Sequence, residues 1–503
     1  MTRTLGRWAE VVGYRADPPA RLHEGTGGWL LVRASDPRAL RLGVVAGQLV
    51  RQLTDHHSAL TGSIEPAEEP KLAQVLEDLA SHGFLRRILR PVAPALPRVS
   101  VVIPAYRRAQ LVARCVASVR AQQYPEHLLE IIVVDDASND DGETAAAASG
   151  ARTRVVTLPR NCGPGVARQA GVLASDSELV GFLDTDCVAA PDWLLGLVLE
   201  LADPVVAAAA CRVRTVPNGH AVGVFESVRS PLDMGCVFGD LDPRGPRFFH
   251  PTADMIVRRS KLERCGGFAT DLRVGEDVDL CLRLMADGGR IRYLPESRIT
   301  HEPPRRLRDI ADRRFVYGRS ESFLWGRHPV TRSGVTMSIP RGLGAAALAV
   351  ALHRRRPGLA VAAVAAIVAP AVPRVAKGGA AELRRIYDPG YAFGRLTSTV
   401  TNLSRYHATP LLLGEVAVGR AIPIVAPACI VGSALCEYFT LRPSVGAATY
   451  LPLHMLEDLA YSVGVTAGVL RPAFLRHSAV ALLAGLERWP GRVAYLSRGT
   501  RMT

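Results

Sequence analysis

Apolar and polar positions alternate along this chain in two rhythms. From residue 99, short β-branched runs take turns with segments whose apolar residues recur at helical spacing. Val99-Ser-Val-Val-Ile is followed by Leu111, Cys115, Val116 and Val119, then by an apolar run at Glu130 to Val134, then by Thr153 to Leu158. Such alternation predicts an α/β domain whose parallel sheet is covered on both faces. Pro104 closes the first run, because a proline cannot donate within a central strand. Arg160-Asn-Cys-Gly163-Pro-Gly165 predicts a tight turn, and the helix it opens carries Arg168 within its early turns.

The flanks follow other patterns. Residues 1–90 predict a small α+β, winged-helix-like domain. It has a strand at Gly28 to Val32, helices at Val44 to Leu53 and Lys71 to Ser81, a stop at His82-Gly83 and a closing strand. This module is similar to the peptide-recognition domains of systems that modify ribosomally made peptides, which implies a leader peptide or a carrier protein as its partner. The prolines of residues 91–98 suit a semi-rigid linker, so the α/β domain spans 99–330.

Residues 331–503 form an apolar helical region. Gly342 to Leu352 and Leu359 to Val372 are apolar and flank His353-Arg-Arg-Arg356. Each falls short of the roughly 20 residues that cross a bilayer, which suits a hairpin dipping into the cytoplasmic leaflet or crossing it only marginally. Pro410 to Leu435 and Gly446 to Leu470 are long enough, but they carry Glu415 and Arg420, or Glu457 and Asp458. Charges within a span are costly. Those two stretches are therefore buried soluble helices or helices packed against one another. The expectation is a membrane-associated region, with a soluble helical domain as the alternative.

Charge and cysteine usage narrow the partners. The 503 residues carry a formal net charge of +14, which points to an anionic partner. Without zinc-finger spacing, a ribonucleoprotein aromatic motif or a helix-turn-helix pattern, nucleic acid is not expected. Nine cysteines without Cys-x-x-Cys pairs suit a reducing compartment, and the first residues have no signal-peptide core. The expected location is the cytoplasmic face of the cell membrane.

The chemistry sits where apolar runs end in acids. Val180-Gly-Phe-Leu-Asp184-Thr-Asp186 and Ile131-Ile-Val-Val-Asp135-Asp136 deliver carboxylates to the carboxyl ends of two strands, where open α/β sheets bind ligands. Neighbouring carboxylates repel, and a divalent cation between them and a polyphosphate relieves that repulsion. Arg168 has the donor fork to hold a phosphate or a pyrimidine head group.

In order, Val-Val-Ile-Pro104-Ala105-Tyr106, Val-Val-Asp135-Asp136-Ala-Ser, Asn-Cys-Gly-Pro-Gly-Val-Ala-Arg168, Leu-Asp184-Thr-Asp186 and Gly275-Glu276-Asp277 resemble the motifs of family 2 glycosyltransferases. Within that family the chain resembles the glycosyltransferases of the mycofactocin system. His301-Glu-Pro-Pro, Tyr317-Gly-Arg-Ser and Arg327-His328-Pro329 support the narrower likeness.

The resemblance implies a GT-A-type, Rossmann-like domain and a UDP-sugar donor. Pro104, Ala105 and Tyr106 would flank the base, and Asp135 or Asp136 would accept hydrogen bonds from uracil or ribose. Arg168 would close over the base or diphosphate. Asp184 would meet ribose or metal, and Asp186 would be the direct ligand of Mg²⁺ or Mn²⁺, with His301 as a further ligand.

Displacement at the anomeric carbon needs a base facing the acceptor hydroxyl. Asp277 is assigned that role and Glu276 the holding of a sugar, while Asp279 is read as a structural or capping acid. One base and no covalent nucleophile imply inversion. The expected activity is β-transfer of a hexose, glucose from UDP-glucose by resemblance, onto a peptide-derived redox cofactor or another small acceptor, singly or as a chain. A lipid or envelope polysaccharide acceptor is the alternative. A transferase fold retained as an inactive scaffold is a further alternative, against which all the acids are present. Arg313-Arg-Phe-Val-Tyr-Gly is not the Gln-x-x-Arg-Trp of processive synthases.

Overall fold

The structure is a computed structural model that describes residues 3–5, 8–16, 20–25, 28–33, 39–42, 70–81, 85–92, 95–243, 247–328, 400–418 and 425–471. The expected helix at 44–53, the stop at 82–83 and the apolar runs 342–352 and 359–372 lie outside these residues. The chain divides into two compact units, Met1–Leu307 and Arg308–Thr503.

The first unit is organised by one large sheet. Its strands run in the order Cys187–Ala189, Arg290–His301, Val206–Thr215, Asp254–Arg258, Leu179–Leu183, Val99–Ala105, Leu129–Asp135 and Thr153–Thr157. Val99–Ala105 pairs in parallel with both Leu129–Asp135 and Leu179–Leu183, and Thr153–Thr157 extends that parallel half. The expected parallel sheet is mixed on the other side. Asp254–Arg258 runs antiparallel to both of its neighbours, Leu179–Leu183 and Val206–Thr215. Its buried Met255, Ile256 and Val257 have the same apolar character as the parallel strands. Strand direction comes from the connection that feeds the strand, and hydrophobic periodicity carries no direction.

Side chains alternate across the sheet. Val101, Ile103, Ile131 and Val133 share one core with Val112, Cys115, Val116 and Val119 of the helix Ala109–Arg120. Val102, Ile132, Val134, Val180 and Phe182 enter a second core with the helices Pro164–Ala174 and Glu276–Ala286. Gly171 lets the helix Pro164–Ala174 approach the sheet closely, since a Cβ there would lie 2.3 Å from Val102 Cγ1.

The N-terminal strands Arg3–Leu5, Ala9–Ala16 and Leu85–Pro91 form an antiparallel sheet, preceded at the third strand by the expected helix, Pro70–Ser81. Ala20–Gly25, Gly28–Arg33 and Ala39–Leu42 form another. Only Gly28–Arg33 and the closing strand answer to strands read from the sequence. The segment read as a linker begins inside a strand, because Pro91 pairs with Ala9. Trp8 is buried in the same core as Val99 and Val198, and its indole N–H donates to Val198 O at 3.0 Å. Arg87, also buried, pairs with Glu77 at 2.5 Å and Asp203 at 3.6 Å.

The second unit holds the helices Leu307–Arg327, Ala408–Val418, Val425–Leu441 and Ala447–Val469, with a π-helical turn at Leu403–His407. Among the described residues no helix is long and apolar enough to cross a membrane. Glu457 and Asp458 are buried between these helices. Glu457 pairs with Arg314, and Asp458 accepts from Ser404 at 2.7 Å and Ser433 at 3.1 Å.

Candidate active site

Three parallel strands end side by side at the site. Ala105 closes one of them, and its carbonyl accepts the Asp136 N–H at 2.8 Å. Pro104 is half-buried in that strand, and Tyr106 lies just beyond it, exposed. Arg107 and Arg108 take left-handed backbone angles, φ 60° and 59°, which turn the chain from the strand into the helix Ala109–Arg120. Such angles are uncommon outside glycine and mark a constrained turn.

The two acids after the Ile131 run are buried and have different neighbours. Asp135 Oδ1 accepts the backbone N–H of Ser138 at 3.1 Å and also its hydroxyl. The same hydroxyl oxygen accepts the Arg107 N–H at 2.7 Å. Asp136 accepts Cys162 N–H at 2.7 Å on one oxygen and Gly163 N–H at 2.8 Å on the other. That carboxylate thus braces the turn that opens the Arg168 helix. Each oxygen keeps a second lone pair for a ligand.

Arg168 is buried between two carboxylates from distant parts of the chain. One terminal nitrogen lies 2.6 Å from Asp184 Oδ1, and the other lies 2.7 Å from Glu276 Oε1. Burial works against the guanidinium charge. Asp184 and Glu276 outweigh it and raise the arginine above its ordinary pKa. Its Nε is buried without a hydrogen-bond partner.

Asp277 begins the same helix as Glu276 and is half-buried, with Oδ1 accepting the Val278 N–H at 2.8 Å. Its pKa is pushed up to about 7, first by burial and then by the adjacent Glu276. A carboxyl group near neutrality can accept and release a proton under working conditions. Asp279 is engaged by Arg283 at 2.6 Å, which agrees with its reading as a structural acid.

Asp186 and His301 meet on the far side. Cys187 pairs with His301 across the edge strand, and the Glu302 N–H donates to Asp186 O at 2.9 Å. This brings His301 Nε2 to 3.5 Å from Asp186 Oδ2. A carboxylate oxygen facing an imidazole nitrogen at that separation suits Mn²⁺, which accepts both donor types. Asp184, the third expected ligand, is turned to Arg168 instead. Among the described residues no group of three or more metal-ligating side chains gathers.

Ser138 and Glu302 lie within motifs read from the sequence that assign them no role, and Arg273 lies outside those motifs. Ser138 fixes Asp135, Arg273 bonds Asn161 in the turn before the Arg168 helix, and Glu302 pairs with Arg114 at 2.8 Å. The three-residue spacing from Asp135 to Ser138 is a local signal of an Asx-type turn. The other two pairings join residues far apart in sequence and leave no local trace.

Residues 100–266 match the family described as Glycosyl transferase family 2. A pre-mycofactocin glycosyltransferase of Mycobacterium tuberculosis is 30% identical over 462 residues, covering 84% of this chain and 94% of that protein. The succinoglycan biosynthesis protein ExoU of Rhizobium meliloti is 33% identical over 217 residues, covering 40% of this chain and 61% of its own length. Among solved structures, the mannosyltransferase PcManGT from Pyrobaculum calidifontis, in complex with GDP-Man and Mn²⁺, aligns with a TM-score of 0.39 and 23% identity, over 62% of this chain and 89% of that one. The mixed sheet, with its acids at the strand ends, is a GT-A-like sheet. With a relative matched along nearly its whole length, the chain belongs to the family 2 glycosyltransferases and is related to the mycofactocin enzyme.

Proposed function

We propose that this protein transfers a hexose, glucose from UDP-glucose, in β-linkage onto a peptide-derived redox cofactor of the mycofactocin type. The observation that carries the reading is the meeting of Arg168, Asp184 and Glu276 at the strand ends, next to an Asp277 carboxyl poised near neutrality. The likeness to a pre-mycofactocin glycosyltransferase supports the acceptor class.

In this reading Pro104, Ala105 and Tyr106 flank the uridine, and Asp135 and Asp136 accept its hydrogen bonds. Glu276 and Asp184 hold the Arg168 guanidinium where the diphosphate is to lie. Asp277 takes the proton from the acceptor hydroxyl as that oxygen attacks the anomeric carbon. The bond to the diphosphate breaks with its electron pair, and the configuration inverts. Asp186 and His301 are the residues that would hold Mg²⁺ or Mn²⁺. The cation would supply neutralisation of the leaving diphosphate.

Residues 1–90 are assigned to a leader peptide or carrier protein, residues 99–330 to catalysis, and residues 331–503 to the cytoplasmic face of the membrane. The test is transfer from radiolabelled UDP-glucose to the peptide-derived acceptor by the full chain, with and without EDTA. Metal-dependent transfer that disappears in Asp277→Asn while donor binding persists supports the reading. Transfer that survives chelation removes the metal, and near wild-type turnover by Asp277→Asn removes the base. Donor binding with no transfer to any acceptor favours a scaffold.

A further inference from the structure

Among the described residues from 400 onward, the turn Leu403–His407 and the helices Ala408–Val418, Val425–Leu441 and Ala447–Val469 distribute their polarity in the reverse of the usual order. Ser404, Ser433, His454, Glu457, Asp458 and Ser462 are all buried. Most of their polar atoms are paired, with His454 Nε2 3.1 Å from Glu437 and Ser462 Oγ accepting the Thr409 N–H at 2.9 Å, while His454 Nδ1 is buried without a hydrogen bond, 3.7 Å from Asp458 Oδ2. The outer faces of these helices are largely apolar. Val431, Leu435 and Phe439, spaced i, i+4 and i+8 along the helix Val425–Leu441, are 40%, 36% and 68% exposed. Leu413 and Val416 are exposed on a second helix and Val463 on a third, with Leu470 exposed just past the end of that helix. Between 400 and 416 and between 425 and 471, Arg442 is the one exposed charged residue.

We infer that these helices present a lipid-facing belt, with the acyl region of a membrane as the occupant. This deepens the proposed location and depends on no part of the transfer reaction. Water is a poor solvent for a surface on which three helices turn apolar side chains outward. A single protein partner would call for one groove. Here the apolar residues lie on several helices and the ionisable ones are directed inward, as the bilayer requires of embedded helices.

The packing agrees. A Cβ on Gly464 would lie 2.1 Å from Phe315 O, and one on Gly318 would lie 2.1 Å from Tyr461 O, so two helices touch backbone to backbone through small residues. Close small-residue contacts are the main means of helix association in lipid, where burial of apolar surface drives nothing. Pro452 stands inside the helix Ala447–Val469, and prolines are better tolerated in membrane helices than in soluble ones. Single-helix hydropathy misses such a surface because it averages the buried Glu457 and Asp458 with the outward face.

The test uses the full chain in bacterial membranes and in phosphatidylethanolamine–phosphatidylglycerol nanodiscs. The wild type should resist a carbonate wash. The combined Val431→Glu, Leu435→Glu, Phe439→Glu variant should be released, whereas Leu173→Glu, an exposed apolar position of the first unit, should not. Because the triple variant can misfold, Phe439→Trp provides a second readout: its added emission should be quenched by brominated acyl chains. Release of the folded wild type by carbonate overturns the proposal. So does unquenched Phe439→Trp emission, whether another copy or residues 329–399 or 472–503 of this chain cover the face.

Discussion

Arg168 and Asp184 stand 2.6 Å apart at the end of the central sheet, and the same guanidinium reaches Glu276 at 2.7 Å. One buried cation thus ties the Asp-x-Asp segment to the helix that carries the proposed base. Arg168→Ala would leave Glu276 buried and unpaired. Breaking a buried pair costs about 3–5 kcal/mol, so the variant should unfold at lower denaturant and lose transfer. Arg168→Lys should recover little, because one ammonium does not reproduce two diverging guanidinium bonds. Urea titration together with transfer assays checks both.

The raised pKa of Asp277 predicts opposite trends for rate and stability. Its native value is about 7 against an ordinary aspartate near 3.8. Between these values the folded state holds a proton that the unfolded state has released, so this group's contribution to stability falls as pH rises through that window and is constant above it. Transfer should instead rise with pH up to about 7, because the base acts deprotonated. Asp277→Asn should remove this limb of the kcat/KM profile and lower the rate by about 10²–10⁴-fold, with donor affinity unchanged in titration calorimetry.

Removal of the cation should separate two groups of residues. Asp186→Ala and His301→Ala should each weaken Mn²⁺ binding, measured by electron paramagnetic resonance, by more than the roughly tenfold that loss of a residue merely supporting a ligand costs. Asp279→Asn, whose carboxylate engages Arg283, should leave Mn²⁺ affinity unchanged.

Gly171 and Trp8 test the packing. Gly171→Ala places a methyl group 2.3 Å from Val102 Cγ1 and should cost about 1–3 kcal/mol by overpacking. Trp8→Ala empties a site in the core shared with Val99 and Val198 and should cost about 3–5 kcal/mol. Both appear as lower midpoints in chemical denaturation. If Trp8→Ala destabilises the α/β domain itself, the N-terminal strands are integral to that domain.

Local order made much of the site legible. A β-branched run ending in acids signals a strand end, and Gly163-Pro164 signals the helix start that brings Arg168 inward. The sequence determined these because each depends on neighbours within a few residues. It also contained the ordered motifs of the family, and with them the candidate base and metal residues.

Tertiary structure alone decided the partners. Arg168 chose Glu276, a residue 108 positions away, and Asp184 turned to that arginine and away from a three-ligand cluster. The reversed strand Asp254–Arg258 was equally invisible, since periodicity specifies which side chains are buried and not the direction of travel. The C-terminal acids follow the same logic. Glu457 and Asp458 read in sequence as charges too costly for an apolar helix, and three-dimensional packing turns them toward Arg314 and two serines. Apolar pattern is a property of the local chain, whereas charge pairing and strand direction depend on which distant segments the fold brings together.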